Sequence, residues 1–231
     1  VEGCVDRNIS VFPATGANSL SVAEYVISAM MTLLRPVFSA TTQMTQGKWP
    51  RAALSDGGEV GGKRFGVIGY GAIGQTSARL ARGLGMTVIA FDAMLPPDAP
   101  IFARTGVQAA DLDTLLKTAD VITLHVPLVA STRGLIGADQ LARMRRGALL
   151  INTSRGHIVD LTAVANALRS GHLGGAAIDV FDVEPLTETQ ALDDCPNLLL
   201  TPHVSGLTKE SNERVSFMIA DQVLAALAES L

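Results

Sequence analysis

The stretch VGGKRFGVIGYGAIGQTSARLARGL, residues 60–84, decides the fold. Arg64 to Ile68 is short, apolar and rich in β-formers, so it reads as a strand. Ile73 to Leu84 carries apolar residues at helical spacing and reads as a helix. Between them, Gly69-Tyr70-Gly71-Ala72-Ile73-Gly74 has the form GxGxxG. A lone match of this kind is weak, but here a strand precedes it and a helix follows. Gly69 permits the tight turn. Gly71 lets the backbone approach a pyrophosphate. Gly74 lets helix and strand pack closely. The ligand anion then sits on the unpaired N–H groups at the helix start. Asp92 lies 18 residues past Gly74, at the end of the next strand, Thr87 to Phe91. A carboxylate there accepts hydrogen bonds from ribose hydroxyls and repels a 2′-phosphate. No Arg follows in AMLPPDAP (residues 93–100), which favours NAD over NADP.

Outward from this stretch, strand and helix alternate. Strands are expected at Val121 to Val126, Ala148 to Asn152, Gly175 to Val180 and Leu198 to Thr201. Helices are expected at Leu112 to Lys117, Gln140 to Met144, Leu161 to Ser170 and Lys209 to Ala228. The strands VITLHV, ALLIN and LLLT are continuously apolar, as in a parallel sheet covered on both faces. The fold class is therefore α/β, a doubly wound, Rossmann-like parallel sheet. Upstream, Ile9 to Pro13 reads as a short strand and Ala14 to Asn18 as a loop. Val22 to Leu34 reads as a buried helix, with Ser19 or Ser21 as its cap and a capping box from Ser21 to Glu24. It should end near Arg35-Pro36. A second helical stretch reaches toward Gln46, and residues 47–62 are loop-rich.

Composition narrows the function classes. The 231 residues are 48% hydrophobic but only 4% aromatic, so the core is aliphatic. Net charge is -4 and there is no basic run, which argues against nucleic acid or an anionic membrane as partner. Cys4 and Cys195 are far apart and form no CxxC pair, so neither a disulfide framework nor a metal site is expected. No apolar run approaches the roughly 18 residues of a membrane span. VEGCVDRNIS lacks the basic-then-apolar pattern of a signal peptide, and a reducing, cytoplasmic setting is expected.

In an open parallel sheet, ligands bind beyond the carboxyl ends of the strands. There the strands deliver Pro127; then Thr153, Ser154, Arg155 and Gly156; then Asp179, with Glu184 shortly after; then Pro202, His203, Val204, Ser205 and Gly206. This set suits hydride transfer to a 2-keto acid. A guanidinium fork grips a carboxylate and carbonyl better than a lysine does. A nascent alkoxide needs a general acid, and His titrates in the right range. A carboxylate bonded to that His favours the imidazolium. Four histidines compete for the role. His125 reads as a core residue, His157 as a loop residue with nothing to orient it, and His172 as a helix-end residue serving the dipole. His203 stands just past a strand end in a Pro/Gly-framed loop. The residues alone leave the choice open.

NSLSVAEYV (residues 18–26), VGGKRFGVIGYGAIG (60–74), HVPL (125–128), LLINTSRGHIVD (149–160), AAIDVFDVEP (176–185) and LTPHVSGLT (200–208) together resemble the D-isomer-specific 2-hydroxyacid dehydrogenases over essentially the whole chain. The resemblance implies an NAD-dependent oxidoreductase acting on a small 2-hydroxy or 2-keto acid. It implies Arg155 as substrate-binding residue, His203 as acid/base, and Glu184 as its partner. It also implies Asp179 at the nicotinamide carboxamide, the Ala72 and Ile73 backbone at the pyrophosphate, and Val126, Thr153 and Ser154 lining the cofactor. Domains are expected at 1–16 (remnant of a flavodoxin-like substrate-binding domain), 17–205 (dinucleotide-binding) and 206–231 (a helix returning toward the first). A homodimer through residues 19–35 and the following segment is expected. The resemblance leaves room for a corepressor-like NAD-binding module, for an inactive fragment, and for formate or phosphite oxidation on the same scaffold.

Overall fold

The computed structural model describes residues 2–7, 9–35, 37, 40–187 and 189–228. Its elements run α1 (Glu2–Val5), α2 (Ser19–Leu34), α3 (Ala40–Thr45), β1 (Arg64–Ile68), α4 (Ala72–Gly83), β2 (Thr87–Phe91), α5 (Pro100–Thr105), β3 (Gln108–Ala109), α6 (Leu112–Thr118), β4 (Val121–Leu124), α7 (Ala138–Arg143), β5 (Ala148–Asn152), α8 (Leu161–Arg169), β6 (Leu173–Ile178), β7 (Leu198–Leu200) and α9 (Lys209–Ala228). A 3₁₀ turn occupies Gly156–Ile158.

The seven strands form one sheet in the order β3-β2-β1-β4-β5-β6-β7, and every neighbouring pair is parallel. The order reverses between β1 and β4. The two connections leaving the sheet there go to opposite sides and open a crevice at the strand carboxyl ends. Side chains alternate strictly across the sheet. Phe65, Val67, Val88, Ala90, Val121, Leu149 and Ile151 meet α2, α4 and α5 on one face. Ile68, Ile89, Ile122, Leu124, Ala148 and Leu150 meet α6, α7 and α8 on the other. Both cores are almost wholly aliphatic, as the composition requires. At Gly66 a Cβ would lie 2.9 Å from Ala119 and Leu115, so the missing side chain lets α6 close on the sheet.

Four local expectations are corrected. Residues 9–13 form no strand, because no sheet edge is offered to them; Ile9 N instead bonds Cys4 O at 2.9 Å. The Ser21–Glu24 capping box does not form. Asn18 is the N-cap, and Ser21 Oγ lies 3.0 Å from Thr208 Oγ1, a tertiary partner. Val121 to Leu124 is the extent of β4, so His125 and Val126 lie beyond the strand, at the crevice. The short α5 and β3 were not expected; Pro100 opens one and Gly106, in the left-handed region at φ 63°, closes it. The helix end near Arg35 stands, with Arg35 N on Met31 O at 3.0 Å; Pro36 lies outside the described residues. Helix α9 runs back along the start of α2, with Arg214 Nε donating to Ala17 O at 2.8 Å and Gln222 Nε2 to Pro13 O at 3.4 Å.

Candidate active site

The glycine loop sits at the reversal point. Gly69 has φ 94°, and a Cβ there would lie 2.4 Å from His125 O and 2.8 Å from Val126 Cγ1. A Cβ on Gly74 would lie 2.2 Å from Gly69 O. These two glycines are therefore demanded by the protein's own backbone. Gly71 differs: a Cβ there meets nothing within 4 Å. Its bareness relieves no contact inside the protein, so it leaves room for a ligand. The first helical hydrogen bond here is Gln75 N to Gly71 O at 2.9 Å, which leaves the preceding N–H groups, those of Ala72 and Ile73 among them, at the open end of α4. Asp92 Oδ2 accepts from Tyr70 N at 2.8 Å and Oδ1 from Met94 N at 2.9 Å. The carboxylate at the end of β2 thus holds the glycine loop in place.

The second half of the site is built around Asp179, which is 0% exposed. Its Oδ1 accepts from Thr201 Oγ1 at 2.6 Å and from Val204 N at 2.9 Å; its Oδ2 accepts from Ser205 N at 2.9 Å. Its main-chain O accepts from His203 N at 2.8 Å. Tyr25 OH, 2.6 Å from Thr201 Oγ1, extends the chain of bonds to α2. These contacts force residues 201–205 into a tight bend in which His203 adopts φ 56°, a left-handed conformation that β-carbon sterics disfavour. The bend projects the imidazole outward. His203 Nδ1 lies 2.8 Å from Glu184 Oε2, and Glu184 Oε1 accepts from Phe181 N at 2.9 Å. The His203 hydrogen bond, then the Phe181 N–H, hold the Glu184 carboxyl below the usual carboxylate range; desolvation opposes them and the Arg155 charge helps. An ionised Glu184 can only accept, so Nδ1 carries the proton and donates it. Nε2 is left for a substrate.

Arg155 leaves β5 on an extended backbone, φ -148° and ψ 150°. Asn152 fixes this turn: its Nδ2 donates to Arg155 O at 3.0 Å and its Oδ1 accepts from Ser154 N at 3.0 Å. Ser154 Oγ ties the turn to β4 through Leu124 O at 2.5 Å. Gly156 then packs on the backbone of residues 181–182, so closely that a Cβ would lie 2.0 Å from the Phe181 carbonyl carbon. That contact brings the Arg155 and Glu184 loops together. A cavity of about 620 Å³ opens beside the pair, lined by Phe181, Glu184, Pro185, Leu186, Leu200, Thr201, Pro202 and His203.

The other histidines are accounted for elsewhere. His125 lies 3.1 Å from Thr123 Oγ1 and 3.4 Å from Ser77 Oγ, and burial pushes it down to about 3, so it is neutral. His172 Nε2 bonds Leu141 O at 2.9 Å, serving the end of α7 and not of α8, which precedes it. His157 does have an orienting partner, Asp182, at 3.0 Å. Sequence reasoning missed the roles of Asn152, of Gly156, which it placed at this edge without its packing partner, and of Asp182. A strand-final Asn and the Gly after Arg155 were visible signals for the first two; the third needs the fold. Among the described residues no group of His, Cys, Asp or Glu could hold a metal ion, and no helix is long and apolar enough to cross a membrane.

Residues 27–205 match the D-isomer specific 2-hydroxyacid dehydrogenase NAD binding domain. The chain belongs to this family. It is 47% identical over 227 residues to the (S)-sulfolactate dehydrogenase of Chromohalobacter salexigens, across 98% of this chain and 73% of that protein. It is 41% identical over 228 residues to the D-3-phosphoglycerate dehydrogenase of Escherichia coli K12, across 97% of this chain and 54% of that protein. The chain thus spans about half the length of that second relative. A solved NAD-dependent formate dehydrogenase from Staphylococcus aureus, in complex with NAD, superposes with a TM-score of 0.84 at 29% identity, covering all of this chain and 68% of that one.

The residues of this family member fit NAD. Gly71 leaves a cradle that a Cβ would fill, and Thr153 Oγ1 is a buried hydroxyl without a partner among the described residues. Such an orphan costs free energy until something bonds it. Asp92 follows the carboxyl end of β2, Val126 and Pro127 that of β4, and Ser154 that of β5. Ser205 and Gly206 follow the His203 bend, where Ser205 N is spent on Asp179 and Gly206 packs against Asn18.

The two kinds of glycine separate in experiment. Gly74→Ala should destabilise the fold by about 1–3 kcal/mol or more, as overpacking does, in urea denaturation. Gly71→Ala should melt like the parent yet bind NADH at least tenfold more weakly, by roughly 1.4 kcal/mol. Equal NADH affinity in Gly71→Ala and parent would show that the cradle is not the cofactor's.

Proposed function

We propose that the protein transfers a hydride between NAD(H) and a small 2-hydroxy or 2-keto acid. The observation that carries this reading is the His203–Glu184 pair, 2.8 Å apart, with Arg155 close enough to lower the Glu184 carboxyl. Bound NAD(H) supplies the hydride acceptor or donor. The chain supplies the rest. Arg155 binds the substrate carboxylate and polarises its carbonyl through a bidentate fork. His203 Nε2 takes the hydroxyl proton in oxidation and returns it in reduction. Glu184 holds Nδ1, fixing the ring plane and favouring the imidazolium that forms. Thr153 and Ser154 line the nicotinamide end, Asp179 stands behind them as the buried anchor of the His203 bend, and Asp92 takes the ribose hydroxyls. The relatives named sulfolactate, phosphoglycerate and formate dehydrogenases differ in their substrates, so the acid itself is left at its class.

The same reading assigns residues 17–205 to the dinucleotide-binding domain, 1–16 to a substrate-binding unit and 206–231 to a helix returning toward it. Support comes from α9, which buries only Ser211 and leaves Phe217, Leu224 and Leu227 exposed against nothing described. The protein acts as a cytoplasmic homodimer in this reading. Trp49 is 75% exposed on the segment after α2, and Met31, Val37 and Met44 are exposed beside it in sequence. These four residues fall within 31–49, the span that this reading assigns to the interface.

Reduction of glyoxylate or hydroxypyruvate, followed by NADH absorbance, should fall at least a hundredfold in His203→Ala and in Arg155→Ala, a typical loss for an acid/base group. Because the Glu184 carboxyl is depressed, its bond to His203 persists at neutral pH and is lost only as pH falls through its native value. Glu184→Gln should therefore have lower turnover than the parent at neutral pH and lack the parent's acid-side loss as Glu184 protonates. Unchanged turnover in His203→Ala, or an unchanged pH profile in Glu184→Gln, contradicts the assignment. For the dimer, sedimentation should show Trp49→Ser shifting toward monomer; a parent already monomeric at tens of micromolar sinks it.

A further inference from the structure

Away from the proposed catalytic edge, three exposed arginines line one cavity and make no ion pair among the described residues. Gln75, Arg79 and Arg82 lie on one face of α4, at helical spacings of four and three. Arg104, in the last turn of α5, faces the same space. Together with Tyr70, Thr76, Thr105 and Val107 they line a cavity of about 410 Å³. Among the described residues none of the ion pairs includes Arg79, Arg82 or Arg104. Arg82 is held by its hydrogen bond from Nη1 to Thr105 O, and its guanidinium packs at Gly106, where a Cβ would come within 3.0 Å of it. Arg79 and Arg104 have no hydrogen-bond partner among the described residues.

The walls of this cavity are ordered. Tyr70, 1% exposed, stacks on Phe102 with ring centroids 5.3 Å apart, and its hydroxyl donates to Thr105 Oγ1 at 2.8 Å. Gln75 Nε2 donates to Tyr70 O at 2.9 Å. Three like charges brought together on such a frame repel, and neighbouring carboxylates ordinarily relieve that repulsion. With no carboxylate beside them, these exposed charges are open to a multivalent anion. Guanidinium forks match tetrahedral oxyanions in shape and charge. The volume exceeds that of a bare phosphate, and Val107 and the Tyr70 ring add apolar wall.

We infer that the cavity between α4 and α5 binds the dianionic head of a small phosphate monoester, gripped by Arg79, Arg82 and Arg104. The site is separate from the pyrophosphate cradle. It is joined to that cradle through Tyr70, whose N–H bonds Asp92 and whose carbonyl bonds Gln75. Occupancy here therefore stiffens the loop that carries Gly69 and Gly71.

The test is calorimetric titration of the whole chain with glycerol 3-phosphate and with inorganic phosphate, each with and without saturating NADH. The expected result is one site that survives NADH and takes the ester more tightly than the inorganic ion. Arg79→Ala and Arg104→Ala should each weaken it at least tenfold, as loss of a charge-assisted bond does, without lowering the melting temperature. Arg51→Ala, absent from the cavity lining, should leave it unchanged. Several results overturn the proposal: no binding, binding displaced by NADH, or equal binding in Arg79→Ala, Arg104→Ala and parent. A change of oligomeric state in Arg79→Ala without phosphate binding also overturns it, because a second copy's carboxylate would then be the occupant.

Discussion

The candidate catalytic edge depends on one buried carboxylate. Asp179 has left water at the end of β6, and an ion so placed must be repaid in hydrogen bonds. Thr201 Oγ1, Val204 N and Ser205 N provide them, all from the segment after β7. Satisfying Asp179 therefore dictates the path of residues 201–205, and that path holds His203 in a backbone conformation it would not choose alone. The strain is small, of order 1–3 kcal/mol, and a fully bonded carboxylate can sustain it. Its consequence is directional: the imidazole leaves the bend toward Glu184. Through Thr201 and Tyr25 the same carboxylate is tied to α2, so the bend is anchored to the helical layer as well as to the sheet.

The dinucleotide half rests on a different constraint, the approach of backbone to backbone. At Gly69, Gly74 and Gly156 a Cβ would fall 2.0–2.4 Å from another residue's main chain. Two of these contacts shape the loop between β1 and α4; the third fastens the turn after β5 to the loop carrying Glu184. A parallel sheet with a reversal of strand order supplies the crevice, and these contacts give it its edges. Gly71, alone in the triplet, has no such internal cause, which is why its open space points to a ligand.

Much of this was legible in the residues. Strand-helix alternation and continuously apolar strands pointed to the α/β class, and β1, β2, β5 and α9 have the expected bounds. The strand-end rule placed Arg155, Asp179 and His203 on one edge without any knowledge of their contacts. What was hidden is tertiary. Ser21 has the spacing of a capping box with Glu24, yet Thr208, 187 residues away, takes its hydroxyl. Residues 9–13 have strand composition, but composition supplies no neighbouring edge. Asp179 was expected at the cofactor, and its hydrogen bonds to the His203 bend were not foreseen, since they join β6 to a segment beyond β7. Choosing among four histidines needed either the resemblance or the structure, because only their partners distinguish them.

The central claim is that the crevice between β1 and β4 is an NAD site in which Asp92 faces the ribose. Fluorescence titration of the chain with NADH and with NADPH tests it most directly. Saturable NADH binding, with NADPH at least tenfold weaker because its 2′-phosphate meets a carboxylate, is the expected result. No saturable binding of NADH, or NADPH binding equally well, would contradict the account.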